Sequence, residues 1–252
     1  MELVKGVNLH FLQSKKFKTN KIKVRFSSPL DENTVAARVL VACMMETANQ
    51  KYPTSQLFRE KLASLYGVEL STSVSKRGRV YYVNLNISFV RDDFLSKKNV
   101  LTDEVLDIIE TIFFSPLVVE DHFDSDTFDV EKKNTISDLE SEIEEPYYYA
   151  HGQLNQLFFE DETIGMSRLG KVDLVRQETA QSSLEQFHQM LQLDNIDFFF
   201  IGDFNEVAIL DRVNQFEFKP RDNNLSVTYQ QPFTNVVREK LEQKQNQQSI
   251  LE

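Results

Sequence analysis

The stretch from Val35 to Gln50, VAARVLVACMMETANQ, constrains this chain more than any other, because at helical period almost every side chain in it is apolar. Val35, Leu40, Met44 and Thr47 share one flank, and Ala36, Val39, Cys43 and Met45 continue the apolar surface. Such a helix belongs inside the fold. Only Glu46 carries a charge between Val39 and Gln50, and a carboxylate on a buried helix has to be reached by Arg38, by Lys51 or by solvent. Asp31 or Asn33 caps the start, and the run stops at Asn49-Gln50-Lys51 ahead of Tyr52-Pro53.

Along the rest of the chain the period switches between two and three-to-four. Val7 to Phe11 and Ile22 to Phe26 alternate as half-buried strands do, with the basic turn Lys15 to Lys21 between them. A second helix is predicted from Thr54 to Tyr66, with Leu57, Leu62, Leu65 and Tyr66 inward and Gly67 closing it. Strands follow at Val68 to Val74 and Arg79 to Val90, joined by Ser75-Lys76-Arg77-Gly78. Helices are predicted at Thr102 to Ser115, Asp124 to Glu144, Tyr147 to Phe159, Ser182 to Leu193 and Asn205 to Phe216. The acidic one, Asp124 to Glu144, is held by Phe123, Phe128, Ile136, Leu139 and Ile143. Phe198 to Ile201, apolar throughout, reads as a central strand, and Leu225 to Tyr229 as a last one. This order predicts an α+β fold, a two-layer sandwich of helices on an antiparallel or mixed sheet. The domain is expected over 1–220, with 221–252 a polar, Gln-rich tail or linker toward a second domain.

A content of 41% apolar residues with 20 Phe in 252 residues supports a large core. One cysteine excludes a disulfide framework within the chain, and with no leader at Met1 and no apolar run near membrane length the expectation is a cytoplasmic protein that meets no membrane. Net charge is -11, and Glu120 to Glu145 alone holds 11 acidic and 2 basic residues, which argues against nucleic acid as a partner.

At the centre of the first helix stands Cys43-Met44-Met45-Glu46-Thr47, the spacing of H-x-x-E-H with both histidines replaced. Phe114-Ser115-Pro116, Phe128-Asp129-Val130-Glu131-Lys132-Lys133, Glu144-Glu145-Pro146, Tyr147-Tyr148-Tyr149-Ala150, the run Gly165 to Lys171 and Phe199-Phe200-Ile201-Gly202-Asp203-Phe204 follow in turn. In this order the chain resembles the pitrilysin/insulinase family of zinc peptidases, and most of all its bacterial members that lack the zinc motif and are usually encoded beside a motif-bearing partner. The resemblance implies the metalloprotease-domain fold of that family and of mitochondrial processing peptidase. It puts Cys43 at the first zinc-binding histidine, Glu46 at the general base, Thr47 at the second histidine and Asp138 at the third ligand, seven residues after Glu131. Thiolate and carboxylate both bind zinc, but threonine is not a usual ligand and an apolar stripe disfavours the Cys43 thiolate. No cofactor is therefore expected, zinc belonging to the active relatives. His10, His122, His151 and His188 do not pair at ligand spacing.

The resemblance also implies a peptide site. In motif-bearing relatives the extended substrate adds to the sheet edge where this chain has Leu70-Ser71-Thr72-Ser73, and an edge strand pairs with a guest almost regardless of the guest's sequence. The plainer alternative makes Ser71 and Ser73 the solvent face of an ordinary strand. The functional expectation is a non-catalytic peptidase-like subunit that binds or encloses peptides with a motif-bearing peptidase of the same family, as a hetero- or homodimer. An active metalloendopeptidase with an altered metal or thiol site, and an acidic scaffold protein, remain as alternatives.

Overall fold

In the computed structural model, residues 1–95, 100–222 and 225–230 are described. The elements are β1 (Glu2–Val4), β2 (Val7–Gln13), β3 (Thr19–Pro29), α1 (Glu32–Thr47), α2 (Ser55–Ser64), β4 (Glu69–Arg77), β5 (Val80–Val90), α3 (Val100–Phe114), β6 (Val118–Val119), β7 (His122–Phe123), α4 (Ser125–Glu144), α5 (Pro146–Phe158), α6 (Glu162–Gly165), α7 (Val172–Gln177), α8 (Ala180–Leu193), β8 (Asn195–Gly202) and α9 (Glu206–Val213). Six strands form one sheet in the order β1-β2-β8-β3-β5-β4, and β6 and β7 pair separately. Every pairing is antiparallel except β2 with β8, so the sheet is mixed and the fold is α+β.

Alternation along the strands decides which face is covered. Ile196, Phe198 and Phe200 of β8, Ile22, Val24 and Phe26 of β3, and Val83, Leu85 and Ile87 of β5 are fully buried toward the helices. The other face is polar: Phe199, expected inside, is only half-buried and stacks on His10 at 4.7 Å. β8 is central as predicted, yet one of its faces stays open. The helix α1 packs against β4 and β5 on one side and α4, α7 and α8 on the other, which its all-round apolar surface requires. Asp31 caps it, its carboxylate accepting from the Asn33 amide at 3.0 Å.

Two expectations change, those for α2 and for residues 225–229. In α2 the buried residues are Phe58 and Leu62, while Leu57 and Tyr66 are exposed. The Thr54 cap sets the helical phase so that positions 58 and 62 face inward, and Phe58 stacks on Tyr52. Residues 225–229 are not a strand. Their backbone crosses the β4–β5 turn so closely that a Cβ at Gly78, whose φ is +53°, would lie 1.8 Å from the Val227 carbonyl oxygen. On α4, Phe128, Thr135 and Leu139 are buried and Ile136 only partly, and Phe123 just before the helix is buried too. The side chain of Ile143 lies outside the described residues. β1, α6 and α7 have no counterpart in the sequence reading. The run from Gly165 to Lys171 closes over the start of α1: the Lys76 ammonium donates to the carbonyls of Ile164 and Met166, the Tyr81 hydroxyl to that of Arg168 at 2.7 Å, and Lys171 pairs with Glu32.

Candidate functional site

The last turns of α1 carry Cys43, Glu46 and Thr47, and three different neighbours receive them. Cys43 and Thr47 are four residues apart and share a flank, and so do Glu131 and Thr135 on α4. The two pairs meet head to tail. Cys43 Sγ lies 3.9 Å from Thr135 Oγ1, and the Thr47 hydroxyl lies 2.9 Å from both Glu131 Oε1 and the Cys43 carbonyl, its one proton shared between them. Thr135 in turn donates to the Glu131 carbonyl at 2.9 Å. Asp138 sits on the exposed side of α4, close enough for its charge to act on Cys43. Burial pushes the Cys43 thiol up to about 11, with Thr135 opposing and Glu131, Glu46 and Asp138 adding to the rise.

Glu46 turns the other way, to the sheet. Its Oε2 accepts from the Thr72 amide at 2.7 Å and from the Thr72 hydroxyl at 2.8 Å. Arg38, a sequence candidate for its partner, is instead committed to Asp194. β4 ends the sheet, so Thr72 is on an edge strand. With the Thr72 N–H turned to Glu46, antiparallel alternation aims the Leu70 and Val74 amides outward too, and those of Ser71 and Ser73 at β5. Leu70, Thr72 and Val74 are half-buried; Ser71 and Ser73 are exposed.

The structure thus brings Cys43, Glu46, Thr47 and Thr72 into one small region. The parts that sequence reasoning missed are Glu131 as the side chain on Thr47, and Thr135. The shared spacing of 43/47 and 131/135 was the available signal. The four histidines lie elsewhere in their contacts, His10 with Asp197 at 2.8 Å and His122 with the Phe123 carbonyl, for example. As a zinc site the donor set does not fit: one protonated thiol, one hydroxyl already engaged and a carboxylate held by the sheet edge. Among the described residues no group of three or more His, Cys, Asp or Glu could hold a metal ion, and no helix is long and apolar enough to cross a membrane.

The fold is that of solved M16 peptidase domains, and its first helix carries Cys43-Met44-Met45-Glu46-Thr47 where H-x-x-E-H would stand. No family model matches the chain. Over 222 residues it is 22% identical to a probable inactive metalloprotease YmfF of Bacillus subtilis, which covers 88% of this chain and 52% of that protein. A conserved protein from Enterococcus faecalis V583 superposes with a TM-score of 0.91 and 34% identity over 96% of this chain and 57% of that one. A peptidase M16 inactive domain from Pseudomonas fluorescens has the same fold, with a TM-score of 0.67 at 13% identity over 88% of this chain and 52% of that one. The chain spans about half the length of the curated relative.

Proposed function

We propose that the chain is a non-catalytic, peptidase-like subunit that binds extended peptides along β4 and encloses them together with a motif-bearing peptidase of the same family. The observation that carries this reading is the arrangement on α1: thiol and hydroxyl at positions 43 and 47 are tied to α4, and Glu46 is tied to the strand edge through Thr72. Peptide binding is supported by the position of β4 at the end of the sheet. Partnering is supported by α5, a helix with no buried residue on which Tyr147, Tyr148 and Leu157 stand exposed. A thiol peptidase is disfavoured by the same burial that raises the Cys43 pKa.

The test is incubation of the purified chain with a fluorescent, unstructured reporter peptide, with and without added zinc. Binding without cleavage is the expected result. Cleavage by the chain alone that disappears in Glu46→Gln would establish an enzyme instead, and a lack of any binding would remove the peptide role.

A further inference from the structure

We infer that Glu46 is an internal competitor for the strand edge: it occupies the Thr72 donor that an incoming peptide needs, and so sets how tightly β4 takes a guest. The inference rests on the edge-strand reading above. Thr72 gives both its N–H and its hydroxyl to a single carboxylate oxygen, at 2.7 and 2.8 Å, the first of them the length of a charge-assisted bond. A guest strand lying along residues 70–74 meets three outward amides, and the middle one is already satisfied. It can pair with Leu70 and Val74 and leave a gap, or it can displace the carboxylate. Displacement strips a half-buried anion of two donors, so either route weakens binding.

The position of Glu46 makes this a matter of competition rather than of simple attachment. Its helix is buried from Val35 to Ala42 and at Met44 and Met45, while Glu46 is half-buried and stands on the outward Thr72 amide, the place that a guest carbonyl would take. A mere staple between α1 and β4 has a different signature: removing it loosens the strand and brings no gain in affinity.

The experiment is a fluorescence-anisotropy titration of an unstructured peptide into the parent chain, Glu46→Ala, Glu46→Gln and Thr72→Val, with amide hydrogen exchange read at Thr72. Glu46→Ala is expected to bind roughly tenfold more tightly than the parent, the equivalent of one charge-assisted hydrogen bond. Glu46→Gln, a weaker acceptor of the same shape, falls between the two and stands in for the alanine variant if that one does not fold. Thr72→Val keeps the amide, loses the hydroxyl and shows a smaller gain. The same peptide N-methylated at the residues that face β4 loses the gain, because the methyl groups remove its own donors and keep its carbonyls from closing on the freed Thr72 amide. Equal or weaker binding by both Glu46 variants overturns the competitor role and leaves edge binding standing. Unchanged exchange at Thr72 in Glu46→Ala overturns the contact itself. No binding by the parent or any variant overturns both the inference and the peptide-binding reading on which it rests.

Discussion

Cys43 lies on a flank of α1 that faces Thr135, and its surroundings keep it a thiol. Its native pKa of about 11 against an ordinary 9.0 leaves a thiolate fraction at pH 8 roughly a hundredfold below that of the unfolded chain. Alkylation by iodoacetamide at pH 8 is therefore expected to be slow in the native protein and fast in denaturant. Native labelling as fast as that of the denatured chain would contradict the buried environment. The linkage has a definite sign. The folded state favours the protonated form, so the contribution of Cys43 to stability is complete below pH 9 and declines as pH rises toward 11. The sequence already carried half of this, since a cysteine in an apolar helical stripe is expected to be an inert hydrophobe. It did not carry the partner, because nothing local to Cys43 points to a threonine 92 residues away. Glu46 is similar: its need for a partner was legible, and the strand amide that meets the need was not, since backbone groups have no sequence signature.

At the level of elements, strong periodicity translated into structure wherever the apolar face was wide. α1, α3, α4 and α8 stand close to where their patterns put them, and β8 was recognisable from its aromatic run. Short pieces such as α6 and α7 were not, because four to six residues hold too few repeats and are fixed by tertiary contacts. α4 shows what the pattern can and cannot predict. Its buried residues Phe128, Thr135 and Leu139 hold a helix whose surface is heavily acidic, so stability rests on packing. Leu139→Asp is expected to lower stability by about 3 kcal/mol or more, through a lost apolar side chain and a buried charge. Glu142 reads from the sequence as part of a solvated face, yet it accepts from the Ser167 hydroxyl at 3.0 Å and pairs with Arg168 at 3.1 Å. Glu142→Lys should therefore cost about 1 kcal/mol, and the exposed Glu144→Lys stay within about 0.5 kcal/mol of the parent. Melting curves that put Leu139→Asp level with the two glutamate variants would mean that the buried face of α4 is another one.

On the scale of the whole molecule, topology was the least legible property. The late strand β8 enters between β2 and β3, and its parallel pairing with β2 joins residues such as His10 and Asp197 that are 187 positions apart. The same insertion creates a buried ion pair that no local pattern announces. Arg38 of α1 grips Asp194, at the junction of α8 and β8, through two bonds of 2.6 and 3.0 Å, and the two residues are only 6% and 1% exposed. Arg221 donates to the Asp194 carbonyl while its own amide bonds to the Lys5 carbonyl, so α1, the start of β8, the β1–β2 turn and the chain after α9 meet at one point. Burial pushes the Asp194 carboxyl up despite the pull of Arg38, which means that desolvation is the larger effect there. A pair in that balance is costly to break and inexpensive to replace. Arg38→Met is expected to destabilise the fold by about 3 to 5 kcal/mol, because it strands a buried carboxylate, and Asp194→Leu by a similar amount, because it strands a guanidinium whose Nε already has no partner among the described residues. The double variant should recover most of that loss and unfold nearer to the parent than either single one. Urea titrations of the four proteins measure the coupling directly. If the two losses simply add, the pair is a pair of independent contacts, and the joint between α1 and the inserted strand is held by the apolar packing around it.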